Sequence, residues 1–232
     1  MSRYIQSDYN KLLTYLENYS LKTVLTDDEF QRNAKCIHRK LLSILIMINE
    51  LEAQKVFDDV ERKYFTEIGS DLIQAFFCWA NGAYKPAELQ LRSGIENYIK
   101  ALVYKEKTTI LMIKNVYEVF DEAASSKVFD NEVCKKHFDT LHNEYSNLCA
   151  FVHGAIHSLF QIGAMISLPE YNSKLASEFC NNFQRTVNSM LSVLYYNYFA
   201  NVFKMHDENR EIFLQGLLKA DKAEIYYAKT ED

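Results

Sequence analysis

The segment PEYNSKLASEFCNNFQRTVNSMLSVLYYNYFANVFKMH, residues 169–206, carries an apolar side chain at nearly every third or fourth position. That spacing is the repeat of one face of an α-helix. The pattern predicts one long helix, the longest of the chain, with a continuous apolar ridge. The ridge is formed by Leu175, Phe179, Phe183, Val187, Met190, Leu194, Tyr198 and Val202.

The same spacing recurs along the rest of the chain and predicts an all-α fold. We expect a single-domain helical bundle of about seven helices over residues 1–232, with a long C-terminal helix and a polar tail at about 220–232. The chain contains only 6 Gly and 2 Pro, too few for the many tight turns of sandwiches and barrels. The other predicted helices cover residues 3–19, 26–55, 58–81, 86–105, 108–124, 130 to 154 or 165, and 208–219, and the stretch 108–113 is also compatible with an extended conformation.

Helix start signals precede several of these segments. Thr26 with Glu29 forms a capping-box pattern, and Asp130 is placed to cap a later helix. Pro86 and Pro169 stand where helices should begin, a position that suits proline. The middle of the helix predicted over 26–55 is apolar nearly all round, which predicts the central buried helix of the bundle.

Composition limits the classes of function. The net charge is −5, so a general nucleic-acid binder is disfavoured and any nucleic-acid contact must be local. The N-terminus has no apolar signal region and no apolar run is long enough to span a bilayer, so we expect a cytoplasmic protein without membrane contact. The odd number of widely spaced cysteines predicts buried reduced thiols: Cys36, Cys78, Cys134, Cys149 and Cys180.

Four charged residues stand at four-residue steps along one edge of the helix that contains LRSGIENYIK (91–100). They are Glu88, Arg92, Glu96 and Lys100. One interpretation is a ladder of ion pairs on a solvated face, each contributing a few tenths of a kcal/mol. The other places Arg92 and Glu96 at the rim of a polar pocket, with the mid-helix glycine, Gly94, allowing another helix to come close.

A second group lies in YSNLCAFVHG (145–154), where Tyr145, Cys149 and His153 follow at four-residue steps. His153 stands at the predicted helix end, where the helix dipole favours the protonated form. It is either an ordinary C-terminal histidine before a glycine cap or an acid–base group that titrates near neutral pH. With His157 it could form a two-histidine face, but no third ligand is apparent, and we expect no metal and no cofactor.

A third candidate is the pair Arg32 and His38 in RNAKCIH. An arginine directly followed by asparagine makes the pair a possible site. On a straight helix, however, the two side chains point about 120° apart, which favours unrelated helix residues.

The order of these motifs resembles the HEPN-like helical-bundle proteins of bacteria. Such proteins carry LRSxxE on a helix, followed about fifty residues later by Y-x-x-L-x-x-x-V-H-G, and the RNAKCIH stretch is similar to the Arg-Asn-x(4)-His signature of the best-known members. The resemblance covers roughly residues 70–160. The matching residues are Asn81-Gly82-Ala83-Tyr84, Ala87, Leu91-Arg92-Ser93, Glu96, Tyr145, Leu148 and Val152-His153-Gly154.

The resemblance implies a bundle, often dimeric, that cleaves RNA without a metal in toxin–antitoxin or phage-defence systems. His153 would be the acid/base and Arg92 the phosphate clamp, while Glu96 would orient one of them and Tyr145 would donate a hydrogen bond. The sequence departs from the family because the Arg-Asn-x(4)-His signature lies on the second predicted helix rather than late in the bundle. Two Arg/His pairs therefore compete, the second being Arg32 and His38.

Two functions from different classes follow from these observations. The first is a HEPN-like effector, a metal-independent ribonuclease. The alternative is a non-catalytic interaction or regulatory subunit of such a system, acting as a homodimer or with a partner protein through helical surfaces. The acidic net charge favours the alternative, as does MLSVLYYNYFANVF (190–203), which has more apolar surface than one core face needs.

Overall fold

A computed structural model describes residues 22–153 and 168–230, together with residues 10, 11, 14 and 18. Apart from these four residues, which are helical, the helix predicted over 3–19 lies outside the described residues, as does any continuation of a helix through 154–165. Within the described ranges the chain forms helices and turns and no strand, which confirms the all-α prediction. The helices are α1 (Asp28–Ala53), α2 (Asp59–Ala80), α3 (Tyr84–Val103), α4 (Val116–Ala124), α5 (Glu132–His153), α6 (Ser173–Asn197), α7 (Asp207–Gly216) and α8 (Lys219–Thr230).

Four short helical turns connect some of these helices. Lys22–Leu25 precedes α1, and Phe199–Val202 follows α6. Two 3₁₀ turns, Thr108–Met112 and Lys127–Phe129, flank α4. The stretch TTILM is therefore a 3₁₀ turn, and the helix predicted over 108–124 is divided into this turn and α4.

The helix that the others surround is α6. Every residue from 186 to 195 is buried, whichever way its side chain points. This part of the chain packs against α1, α3, α5 and α8. We expected the central helix at 26–55, but α1 has solvent on one side, where Leu42 is 37% exposed. The apolar excess in residues 190–195 is therefore used by the core rather than left for a partner.

The helix α6 is shorter at both ends than the predicted 169–206. Asn172 caps its start by accepting a hydrogen bond from the Leu175 N–H at 3.0 Å, so Pro169 lies outside the helix. At the other end, Tyr198 leaves helical geometry with φ −113° and ψ 30°. The ridge nevertheless continues through the following turn, because Val202 is fully buried. The helical periodicity of apolar residues predicts which face is buried. It does not predict a break in the helix, because the residues after the break can continue the same buried face.

Two predicted helix caps are wrong by one residue. The cap of α1 is Asp27, whose side chain accepts from the Phe30 N–H at 2.7 Å, rather than Thr26. The side chain at the start of α5 that accepts from the Cys134 N–H, at 2.8 Å, belongs to Asn131 rather than Asp130. In both places two good capping residues are adjacent, so composition cannot choose between them.

The turn between α2 and α3 holds the start of α6. Gly82 has a positive φ of 74°, and an added Cβ would overlap the backbone of Glu170. The hydroxyl of Tyr84 accepts from the Asn172 N–H at 2.9 Å. The indole N–H of Trp79 donates to the Ala176 carbonyl at 3.0 Å. The Asn-Gly turn thus brings the beginning of α6 against the end of α2.

The C-terminal segment predicted as a polar tail contains the helix α8. Its Ile225 and Asp221 are buried, because α8 packs along α6. All five cysteines are free thiols: Cys134, Cys149 and Cys180 are buried, and Cys36 and Cys78 are half-buried. Within the described ranges, no helix is both long and apolar enough to cross a membrane.

Substitution by alanine should have opposite effects on stability at two glycines. Gly216, the last residue of α7, lies directly on Ser43 of α1, and an added Cβ would overlap the Ser43 side chain. We expect Gly216→Ala to lower the free energy of unfolding by about 2 kcal/mol, because α7 must move away from α1. Gly94 has room for a Cβ, whose nearest neighbour would be the Asp71 Cβ at 3.6 Å. Gly94→Ala should raise the free energy of unfolding by about 0.5 kcal/mol.

Urea unfolding of both variants beside the wild type checks this pair. Equal or greater stability of Gly216→Ala would contradict the packing described for α1 and α7. A large loss in Gly94→Ala would instead support the sequence interpretation in which Gly94 is needed for close helix approach.

Candidate functional site

Arg92 reaches from α3 to α5 and joins two of the residues that the sequence singled out. Its Nε donates to the Cys149 sulfur at 3.4 Å, and its Nη2 donates to the Tyr145 hydroxyl. The guanidinium carbon also lies 4.8 Å from the centroid of the Tyr145 ring. The structure therefore brings together one residue of the LRSGIENYIK motif and two of the YSNLCAFVHG motif.

The packing of α3 on α5 explains this meeting. Leu91 and Leu148 are fully buried in the core, and Arg92 and Cys149 each follow one of them in sequence. Each residue is thus about 100° round its helix from a core position. The half-buried Arg92 side chain runs along the edge of the interface, with its guanidinium against α5.

The ring of Tyr145 is held in place by aromatic neighbours on α4. It lies 5.3 Å from the Phe120 ring and meets Tyr117 edge-on at 6.3 Å, centroid to centroid. Burial raises the pKa of Tyr145 well above its usual value, against the lowering effect of Arg92. The hydroxyl is therefore neutral at physiological pH, and Arg92 has a neutral partner there.

The positive charge of Arg92 is not paired with a carboxylate within the described part of the chain. Burial alone would lower the pKa of Arg92, but the hydrogen bond to Cys149 and the nearby Tyr145 outweigh it and raise the pKa. Glu96, predicted to orient a catalytic group, forms its ion pair with Lys100 at 2.7 Å. It acts on Arg92 through charge at a distance rather than by contact.

The predicted solvated ladder along α3 is wrong at both of its ends. Glu88 and Lys100 are buried, because this edge of α3 lies against neighbouring helices. One carboxyl oxygen of Glu88 accepts from the Asn182 side chain at 3.1 Å, and the other has no hydrogen-bond partner among the described residues. Desolvation by burial raises the pKa of Glu88 to about 8, so this carboxyl is protonated at neutral pH.

The predicted acid/base, His153, is the last residue of α5. Its side chain lies outside the described part of the structure, as do Gly154 and His157. The backbone places residue 153 one helical turn after Cys149 on the same face of α5. Among the described side chains, no group of three or more His, Cys, Asp or Glu is arranged to hold a metal ion.

The second predicted pair, Arg32 and His38, is not brought together. Both side chains are exposed on α1, and no hydrogen bond links them in the described part of the chain. Asn33, the residue that made the motif resemble a signature, donates instead to the Ser177 hydroxyl of α6 at 3.1 Å. This hydrogen bond indicates that Asn33 connects α1 to α6 rather than taking part in catalysis.

Sequence reasoning missed a buried polar cluster between α1, α5, α6 and α8. Lys40, His137, Asn188 and Asp221 are all buried and line a cavity of about 370 Å³. Two of them carried a signal in the sequence, because Lys40 and His137 stand at apolar-stripe positions, where a titratable group is costly unless it has a task or a partner. The others come from distant helices, and their meeting depends on the tertiary fold.

Comparison with known proteins gave no match: no family model, no curated protein and no solved structure matches this chain. The resemblance to HEPN-like proteins therefore stays a prediction that depends on the motifs alone.

The raised pKa of Glu88 predicts how stability should change with pH. Between about pH 4.5 and 8 the carboxyl is protonated in the folded chain and ionised in the unfolded chain, so the wild type loses stability as the pH rises through this window. Glu88→Gln stays neutral in both states. From pH 5 to pH 8 we expect the variant to gain about 3 kcal/mol in free energy of unfolding relative to the wild type.

Urea unfolding at several pH values measures this difference. The matched control is Glu208→Gln, an exposed carboxyl on α7 that is not among the charges acting on Glu88, and it should follow the wild-type pH profile. Parallel profiles for the wild type and Glu88→Gln would contradict a protonated carboxyl at this position.

Proposed function

We propose that the protein is a HEPN-like effector that cleaves RNA without a metal, and that it acts in a bacterial toxin or phage-defence system. In this proposal Arg92 binds the scissile phosphate and His153 transfers protons. The observation that carries the proposal is the half-buried Arg92 guanidinium, which the Tyr145 hydroxyl and the Cys149 sulfur of another helix hold in place.

Arg92 keeps donors available for a ligand. A guanidinium has five N–H groups, and the bonds to Cys149 and Tyr145 use two of them. The remaining N–H groups and the unpaired charge suit the oxygens of a phosphodiester, which a planar guanidinium can contact in pairs. The charge would stabilise the extra negative charge that develops on the phosphate during cleavage.

His153 would supply the proton transfer. Its place in the sequence puts it on the next turn of α5 after Cys149, towards the helix end. The imidazole would take the proton of the ribose 2′-OH as the 2′-oxygen attacks phosphorus, and a protonated group would return a proton to the departing 5′-oxygen. The products would be a 2′,3′-cyclic phosphate and a 5′-hydroxyl end, and no metal is needed for this route.

Tyr145 and Glu96 would act on Arg92 rather than on RNA directly. Tyr145, fixed by Phe120 of α4, holds the guanidinium by a hydrogen bond and by its ring. The carboxylate of Glu96, engaged by Lys100, contributes negative charge near Arg92 without neutralising it by contact.

We expect the purified protein to cleave RNA in the presence of EDTA and to leave 2′,3′-cyclic phosphate ends. Arg92→Ala and His153→Ala should each reduce the cleavage rate by about 100-fold or more, because each removes one catalytic group. Tyr145→Phe should cost less, about tenfold, because the ring over Arg92 remains. The matched control is Arg62→Ala, an exposed arginine of α2 that pairs with Asp59 on its own helix.

A substrate with a 2′-deoxy sugar at the cleaved position should resist cleavage, because it lacks the nucleophile. Wild-type protein that leaves every RNA intact, or Arg92→Ala that cleaves as fast as the Arg62→Ala control, would reject the proposal.

A second candidate function is the non-catalytic interaction subunit, acting as a homodimer. It is favoured by an aromatic patch that we define as Phe199, Phe203, Tyr226 and Tyr227, where α8 meets the turn after α6. Phe203 and Tyr227 are 49% and 59% exposed, and the neighbouring rings lie 4.9–6.2 Å apart. Exposed contiguous aromatic side chains are typical of protein–protein contact surfaces.

If the aromatic patch is the contact between two copies of the chain, its polar variants should dissociate them. We expect the wild type to sediment as a dimer at about 10 μM, while Phe203→Ser with Tyr227→Ser sediments as a monomer, a loss of affinity of about 100-fold or more. Met112→Ser is the control, because Met112 is 82% exposed away from the patch. A wild type that stays monomeric at about 100 μM would reject the homodimer.

A further inference from the structure

The Lys40 cavity, defined by Lys40, His137, Arg185, Asn188 and Asp221, lies between α1, α5, α6 and α8. Its volume is about 370 Å³, which is within the range of small-molecule sites. The Arg92 group lies between α3 and the second half of α5, whereas the cavity is lined by residues in the first half of α5, so the two sites share one helix but no residue. The chemistry of the cavity lining can therefore be considered separately from the proposed ribonuclease site.

Lys40 brings a buried positive charge into this cavity. Its side chain is 2% exposed and donates to the Asn188 side chain at 2.8 Å and to the Gly216 carbonyl at 2.5 Å. Both partners are neutral, and in the described part of the chain no carboxylate lies within ion-pair distance of the ammonium. A lysine ammonium has three N–H donors, so one remains available.

His137 provides a second unsatisfied group. The ring is 3% exposed, and its Nδ1 lies 3.3 Å from the Ser189 hydroxyl. Its Nε2 is buried without a hydrogen-bond partner among the described residues, and the Asp221 carboxylate oxygen that faces it is 3.8 Å away. Buried polar atoms in folded proteins nearly always have a partner, so a ligand oxygen in the cavity would supply what the protein does not.

The carboxylates near the cavity are already engaged. Asp221 accepts from Asn188 at 2.6 Å and from Lys136 at 3.2 Å. Arg185 forms a two-bond pair with Glu144, at 2.6 and 3.2 Å. The negative groups therefore have partners while Lys40 keeps its charge unpaired, and this imbalance favours an anionic ligand over a cationic one.

The remaining lining residues indicate which functional groups the anion carries besides its charge. Thr140, Asn181, Gln184 and Ser189 present hydroxyl and amide groups, and Leu218 is the apolar side chain among the residues that line the cavity. Among the described residues, no Phe, Tyr or Trp side chain lines it on which a nucleobase could stack. Amides and hydroxyls suit a ligand with several hydroxyl groups.

We propose that the Lys40 cavity binds a small polyhydroxylated anion, a sugar phosphate or a sugar acid, whose charged group contacts Lys40 and whose oxygen accepts from His137. Desolvation by burial lowers the pKa of Lys40 to about 8, and burial also lowers the pKa of His137. A bound anion would shift both pKa values. An anion would favour the charged ammonium, and the neutral imidazole can donate from Nε2.

Isothermal titration with four probes tests the ligand class. We expect ribose 5-phosphate or gluconate to bind at least tenfold more tightly than uncharged ribose and than inorganic phosphate. The phosphate and acid arms distinguish the two sources of the charge. If neither charged sugar binds at concentrations up to about 10 mM, the proposal is overturned. It is also overturned if ribose or inorganic phosphate binds as tightly as the charged sugars.

Variants assign the binding to the cavity. Lys40→Met keeps the apolar stem without the charge and should weaken binding at least tenfold, while Lys35→Met, an exposed lysine of the same helix, should stay within twofold of the wild type. Because substitution of the buried Lys40 also removes hydrogen bonds inside the core, Asn181→Asp serves as the second variant. Asn181 is exposed at the cavity, so an added carboxylate there should repel the anion and weaken binding at least tenfold without disturbing the core.

Wild-type affinity in Asn181→Asp, or in folded Lys40→Met, would overturn the assignment. Arg92→Ala should retain wild-type binding of the charged sugar, so failure of this proposal is distinguishable from failure of the ribonuclease proposal.

Discussion

The enclosure of α6 is the constraint on which the rest of the structure depends. Residues 186–195 are buried on every side, so this segment can be accommodated only where helices pack on all its faces. The bundle provides this by placing α1, α3, α5 and α8 around it. Burying apolar surface from all directions is a large favourable contribution to folding, and it fixes the positions of the helices that carry both candidate sites.

The same enclosure brings polar side chains into the core. Asn188 and Ser189 lie inside the buried segment, where an unpaired amide or hydroxyl would be costly. The side chain of Asn188 forms hydrogen bonds with Lys40 of α1 and Asp221 of α8. The polar network therefore connects α1 and α8 to α6. Buried networks of this kind are stabilising only when nearly every member is paired. The Nε2 of His137 is the member of this network without a partner among the described residues, and the proposed anion would supply one.

Sequence alone predicted the fold class and most buried faces, because helical periodicity depends on which residues can be buried together. It failed at backbone details that periodicity does not encode, such as the break at Tyr198 and the choice between Asp130 and Asn131 as a cap. The motif resemblance put Arg92 and Tyr145 in one predicted site, but it predicted neither the hydrogen bond between them nor that Arg92 has no carboxylate partner in the described part of the chain. The Lys40 network was beyond reach, since its members come from four helices far apart in sequence.

The partners of the arginine and lysine side chains distinguish structural charges from candidate functional ones. The chain is acidic, with a net charge of −5, so carboxylates are not scarce. Arg185 has Glu144 at 2.6 Å, as expected of a charge kept for packing or solubility. Arg92 and Lys40 instead have no carboxylate within ion-pair distance in the described part of the chain, although they lie at the edge or in the interior of the bundle, where an uncompensated charge is least favourable. Stability alone would favour a carboxylate or an apolar side chain at either position, and an anion that binds from outside accounts for the absence of both.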